Sequence, residues 1–466
     1  MIYETIITVN MWLISFLSIF LGILYFFKYI QRSYFLFTIT GFFLVKYIAL
    51  ILLGSLLLNT FIFEYQYNIG VYERKDVLFQ MWLFSLISFW GLILGITFAE
   101  FAFKKTPLLS MKNLKLHLKI KPILIRINLL TFIFLLTFIL SLIFFLIYRK
   151  QIGILPIEGL IKGISDSWEL KRLRSIATNA FEGKYYLYAL FIKKIPFIFT
   201  IFLYFLKDYN KKLKLLFYIF LLFTTFTHIM DLQKYPIMEF LLALFIAKVF
   251  KEGFNLKRFF LFSSIITLLL VFLTKFFMGV KKISSTLSGI LNRIFIVPAA
   301  TIYFWILYQE VYDYLYGKSL PNPHHIFPFE HIRISVEVMY LAFPELYKYG
   351  VVGSMPAPFF MNWWINFGIG WMIIGSILLG FILRSFDIYF IRAFYKYNFH
   401  FALLSVYIYF MLYFSHFVET SFEGIIFAPS LYFPIFLSFI LFRYFKIKTP
   451  LDGYKNLPHY NSPPQV

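Results

Sequence analysis

The sequence predicts an all-α, polytopic membrane protein: a helical bundle of about eleven transmembrane helices with two large extracytoplasmic loops that contain helices. Composition is the first reason: of 466 residues 61% are hydrophobic and 14% charged, with a mean hydropathy of +0.78, more apolar than the core of a soluble chain this long requires. Segmentation is the second, because apolar runs of about twenty residues recur, the length that crosses a hydrocarbon core roughly 30 Å thick. The third is the placement of a net charge of +22, most of it in short connections between apolar runs. The positive-inside rule explains such placement, so no nucleic-acid partner is expected. Cysteine is absent, which excludes disulfides, thiolate metal sites and a cysteine nucleophile. The 65 Phe and 34 Tyr are too numerous for any one of them to signal a site by its presence.

Residues 1–148 hold four expected spans, 6–27, 35–63, 78–103 and 127–148. The connection 104–126, with six lysines and Arg126 and no acidic residue, is the strongest cytoplasmic marker. It sets the N-terminus and the loop 64–76 outside, and no cleavable leader is expected, since residues 1–10 lack a basic start and a small-residue cleavage site. The stretch 149–184 is the first large outer loop; it holds Trp168 and mixed charges that include Glu169, Arg172, Arg174 and Glu182. Residues 185–279 hold four more spans: 185–206, 215–230, 236–250 and 259–278. The first of these carries Lys193, Lys194 and Pro196, which suggests an interfacial helix with its lysines facing outward. Asp231 to Tyr235 forms an outer turn. Residues 280–361 form the second large loop, in which 294–316 is apolar but broken by Pro298, Glu310 and Asp313, as a re-entrant or interfacial helix would be. Spans at 363–383, 399–417 and 431–445 follow within residues 362–445, and residues 446–466 form a polar cytoplasmic tail.

Chemistry is expected in the two loops. Arginine presents a planar fork of donors that keeps its charge, which suits a phosphate or diphosphate. On spacing alone, Arg172 and Arg174 read equally well as such ligands or as solvated arginines paired with Glu169 or Glu182. Arg293 and Arg333 are the cations of the second loop. His331, two residues from Arg333 and ahead of an apolar run, is the favoured general base, while Glu337 pairs more readily with Arg333 on one helix face. Adjacent His324 and His325 diverge and lack a third ligand, so neither a metal nor a cofactor is expected. Lys234 sits with Asp231 and Glu239 at the outer end of a span pair, where charge is costly, and it is placed to reach a lipid diphosphate. Lys46, Glu100 and Lys275 read as charges near span ends, and His228 and His416 as histidines packed in the bundle.

The two arginine-bearing loops, the Lys234 hairpin, Arg293 with Pro298, Gly353-Ser354, and Asn366-Phe367-Gly368-Ile369-Gly370 opening a late span together resemble the Wzy-type O-antigen polymerases, which join oligosaccharide repeat units. Some members carry an arginine, ten residues and a glycine in the central outer loop, and Arg172 to Gly183 has that spacing. The later loop departs from the pattern, because Pro344 stands where a glycine would follow Arg333. The resemblance implies a metal-independent glycosyltransferase that moves a growing glycan from undecaprenyl diphosphate to a lipid-linked repeat unit. It places the active loops on the periplasmic side of the bacterial inner membrane. Arg172, Arg174, Arg293 and Lys234 would neutralise the departing diphosphate, with His331, Glu337 and Arg333 at the reacting centre. The implied partners are the undecaprenyl diphosphate-linked repeat units, membrane lipid and a chain-length regulator. An O-antigen ligase uses the same donor and is the nearest alternative. A lipid-linked oligosaccharide flippase is a second, disfavoured because the polar residues gather in two loops rather than along an interior cavity.

Overall fold

A computed structural model describes residues 2–60, 74–103, 123–124, 127–164, 167–178, 184–278, 283–320, 322, 327–345, 352–396, 400–420, 429–444 and 447–448. Among them the chain is helical throughout, apart from loops and a two-residue antiparallel ladder of Ile123–Leu124 on Ile447–Lys448. The basic connection 104–122, most of the loop 64–76, Gly183, Lys281, Lys282, His324, His325, and the tail from 449 onward lie outside the described residues, as do the side chains of Trp168 and Lys275.

In order the helices are α1 (Ile2–Tyr25), α2 (Ile39–Tyr47), α3 (Leu53–Asn59), α4 (Lys75–Phe103), α5 (Ile127–Ile152), α6 (Pro156–Ile161), α7 (Ser167–Thr178), α8 (Tyr185–Ala189), α9 (Ile195–Leu206) and α10 (Lys211–Ile229). They continue as α11 (Lys234–Glu252), α12 (Leu256–Met278), α13 (Ile283–Phe295), α14 (Val297–Val311), α15 (Ile334–Ala342), α16 (Phe359–Phe367), α17 (Ile369–Lys396), α18 (Phe401–Ser415) and α19 (Pro429–Tyr444). Among the described residues nine helical stretches are long and apolar enough to cross a membrane, or ten if the bent pair α13–α14 counts as one. Two further expected spans, 236–250 and 431–445, are helical as α11 and α19, but α11 carries charges along its length and α19 has only 16 described residues.

Every residue of α18 is buried, as a helix apolar on all sides should be when it forms the centre of a bundle. At the other extreme α12 is largely exposed and meets the bundle by one half-buried face, on which Phe262 stacks on Phe245 at 4.3 Å. The tightest crossing joins α4 to α17. A Cβ on Gly95 would stand 1.9 Å from the Ile377 carbonyl oxygen, and one on Gly380 would stand 2.3 Å from that of Leu92. Glycine is needed there because the two backbones touch.

Helix alternation gives the bundle two ends. At the proximal end Asp387 of α17 closes the start of α2: it accepts from the Ile39 and Thr40 amides at 2.9 Å each, from the Thr40 hydroxyl, and from Tyr407 Oη at 2.8 Å. Arg384, one turn earlier, pairs with Glu100 at 2.8 Å. The distal end carries α6, α7, the Asp231 turn and the chain around residues 312–345.

The stretch 185–206 corrects an expectation. It is one continuous helical span, bent into a π turn at Leu190–Lys194, and Lys193 points inward to a buried ion pair with Asp231. A lysine inside a bundle is retained when a carboxylate meets it, and the Asp231 turn supplies one. Lys46 likewise lies in mid-span, seven residues from the first residue of α2, and its Nζ stands 3.2 Å from Glu419.

Candidate functional site

The distal end gathers three cations. Helix α7 is polar with an apolar stripe, and that stripe seats it on the bundle. Leu170 and Ala177 are buried, Tyr148 Oη donates to the Ala177 carbonyl at 2.6 Å, and Ser175 Oγ donates to the Val352 carbonyl at 3.4 Å. The short α6 is fixed below it by the Ile157 amide, which donates to the Met230 carbonyl at 3.1 Å. Two residues on a helix are about 200° apart, so Arg172 and Arg174 leave α7 on opposite sides. Arg172 is exposed, while Arg174 turns into the bundle, where its buried Nε has no hydrogen-bond partner among the described residues.

Arg174 lies near enough to the exposed Arg293, in the last turn of α13, for their charges to act on each other, and both act on Lys234, the first residue of α11. Burial lowers the affinity of the Arg174 guanidinium for its proton, Arg293 lowers it further, and Asp231 partly offsets both. Lys234, just ahead of the apolar part of its helix, is pulled down to about 8, by burial first and then by Arg293 and Arg174. Its ammonium donates to Thr274 Oγ1 of α12 at 2.8 Å. Among the described residues the carboxylate that acts on Arg174 is Asp231, which is itself bound by Lys193. The start of α11 adds to the positive charge: Gln233 makes no side-chain cap, and a helix N-terminus carries about half a positive charge. Between residues 289–295 and 297–311 the chain bends by 59°, and the bend leaves Arg293 at the end of its own helix rather than inside a continuous span. Such a cluster, held against its own repulsion, suits an anion of more than one charge.

Three of the four expected diphosphate ligands, Arg174, Arg293 and Lys234, are therefore brought together, and Arg172 is not. The proposed reacting residues stand elsewhere. His331, Arg333 and Glu337 are all exposed, and among the described residues no hydrogen bond or ion pair joins them to the cation cluster. His331 Nδ1 is 2.9 Å from the Leu320 carbonyl. Arg333 caps α15 with a non-helical backbone (φ −79°, ψ 70°) and makes no ion pair with Glu337 among the described residues. Trp364 is only 3% exposed and packs on Phe84 and Tyr314, so it serves the core rather than a sugar or an interface belt.

A second polar group was missed as a group. Tyr235 and Glu239, one turn apart on α11, meet His416 just beyond α18: His416 Nε2 is 3.0 Å from Glu239 Oε1, and the His416 and Tyr235 rings are 5.1 Å apart. Lys46 Nζ donates to Tyr235 Oη at 3.3 Å. The one sequence signal was the spacing of Tyr235 and Glu239, which puts both on one helix face. His228, by contrast, is a packed histidine as expected, with Nδ1 2.8 Å from the Thr224 carbonyl and its ring against Phe197 and Phe240. Among the described residues no cluster of three or more His, Cys, Asp or Glu is arranged to hold a metal.

Comparison with known proteins gives no match: no family model, no curated protein and no solved structure matches the chain.

Proposed function

We propose that this protein is a polysaccharide polymerase of the O-antigen type. In this reading it is a lipid-diphosphate-dependent glycosyltransferase that moves a growing glycan from undecaprenyl diphosphate to a lipid-linked repeat unit, at the outer face of a bacterial cytoplasmic membrane. The observation that carries the reading is the convergence of Arg174, Lys234 and Arg293 at the distal end of an apolar bundle. A lipid diphosphate places its charge at that level while its tail stays among the spans. The bond to the departing diphosphate breaks most easily where fixed cations meet the developing charge, and such groups contribute on the order of 10² to 10³ in rate each.

The test supplies the purified protein with an undecaprenyl diphosphate-linked repeat unit in EDTA and separates the products by size. The native chain is expected to give a ladder of repeats, Arg174→Ala to lose it by roughly a hundredfold, and Arg172→Ala to keep it. No glycan product from authentic donor and acceptor would refute the reading. Transfer of a single glycan to a lipid A core, without a ladder, would redirect it to the ligase.

A further inference from the structure

We propose that Gly54 is a positioning residue for the anion site: it seats the bend between α13 and α14 and so fixes where Arg293 stands; this rests on the diphosphate-binding reading above. The bend itself is written into the sequence. Pro298, in the first turn of α14, has no amide hydrogen to offer the carbonyl of Ile294, so α13 does not run straight into α14. The backbone bonds of the two helices meet instead at Ile296, whose amide donates to the Asn292 carbonyl and whose carbonyl accepts from the Ala300 amide, each at 2.8 Å.

A proline makes the chain bend, and a neighbour decides where the bend comes to rest. That neighbour is the span 39–59. A π turn at Ile48–Leu52 interrupts it just ahead of α3. Such a turn holds one residue more than an α turn, so every residue after it is rotated by about 100° from its α-helical place. Gly54, the second residue of α3, then meets the bend directly: a Cβ there would stand 2.2 Å from the Phe295 carbonyl oxygen and 2.9 Å from Ala299 Cβ. Only glycine allows that approach.

Phe295 is two residues beyond Arg293, about 3 Å along the axis, so a shift of its carbonyl carries Arg293 with it. The side chain of Arg293 is exposed and has no ion-pair partner among the described residues, which leaves the backbone to fix its place. Lys234 reports that place. The charges that act on Lys234 are Arg293 of α13 and Arg174 of α7; Thr274 of α12, which it donates to, is neutral, and Asp231 on its own turn is bound by Lys193.

The experiment titrates a short polyprenyl diphosphate into the native full chain, Gly54→Ala and Gly95→Ala from pH 7 to pH 10, with a thermal melt of each. Both variants are expected to melt earlier, since each drives a Cβ into a backbone carbonyl. Gly54→Ala alone is expected to bind about tenfold more weakly at pH 7, the loss of one charge-assisted hydrogen bond. It should also raise the pH at which half the affinity is lost above the native value of about 8, because Arg293 no longer stands close enough to repel the Lys234 proton. Gly95→Ala, in the crossing of α4 and α17, should change neither. In an Arg293→Gln background Gly54→Ala should alter affinity by less than about twofold, with no guanidinium left to misplace. If Gly54→Ala fails to fold, the pair Gly54→Ala with Ala299→Gly, which removes the methyl nearest the new Cβ, is measured in its place. A half-loss pH unchanged by the Gly54 substitution, an equal shift in Gly95→Ala, or an undiminished effect without Arg293 overturns the proposal and leaves the diphosphate reading standing. A native chain that does not bind the diphosphate overturns both.

Discussion

Lys234 makes the cation cluster measurable through pH. Its pKa of about 8, against an ordinary 10.5, means that the free site is mostly protonated at pH 7 and mostly neutral at pH 9. A bound diphosphate returns the advantage to the charged form, so binding takes up a proton above pH 8. The protonated fraction of the free site falls from about nine-tenths to about one-tenth across those two pH units, which predicts an affinity loss of about tenfold, or roughly 1.4 kcal/mol. Solvent screening at this half-buried ammonium narrows the expected loss to about three- to tenfold. The ligand's own last ionisation, near pH 6, is complete before the window opens. Calorimetric titration of a short polyprenyl diphosphate, in buffers of different ionisation enthalpy, reads both the affinity and the proton uptake. Lys234→Met should bind more weakly at pH 7 and lose the pH dependence. A pH-independent affinity for the native chain, or an unchanged slope in Lys234→Met, would refute the reasoning. The sign for stability runs the other way: the unfolded chain holds more protons between pH 8 and 10.5, so the unliganded fold gains stability as pH rises through that window.

Gly95→Ala is expected to destabilise the protein by about 1–3 kcal/mol in a detergent melt, since its Cβ meets a backbone carbonyl that must shift with all of α17. Gly370→Ala, with open space around it, should be neutral or slightly stabilising in the same melt. Asp231→Asn should cost about 3–5 kcal/mol by leaving Lys193 buried without its counter-charge, and adding Lys193→Met should recover much of it. Equal melting temperatures for Asp231→Asn and the double variant would discard the pairing argument. Asp387→Ala should lower the melting temperature more than Ser385→Ala, because it releases two backbone amides, a hydroxyl and Tyr407 together.

The bundle was legible because hydropathy is a local property: runs of about twenty apolar residues announce themselves one at a time. The three cations of the cluster were legible too, since basic residues beside spans in polar loops are conspicuous against 61% apolar residues. What the sequence withheld was partnership over distance. His416 and Glu239 are 177 residues apart, and nothing local marks them as neighbours. The direction of Lys193 was misread for the same reason, because its counter-charge is 38 residues away, on the far side of two helices. Arg172 and Arg174 are alike in type and two residues apart, and only the orientation of α7 distinguishes the exposed one from the half-buried one.

The contact between Asp387 and the start of α2 constrains the order in which the chain can be assembled. The carboxylate that satisfies the Ile39 amide is synthesised 348 residues later. Until α17 enters the membrane, the first turn of α2 must find other acceptors or remain frayed in the bilayer, where unmet amides are costly. The second span of the nascent chain is therefore finished only when nearly the last has been made. A ribosome-stalled intermediate ending before residue 387 should leave α2 open to protease or to alkylation of a cysteine placed at residue 39, and one ending after α18 should protect it.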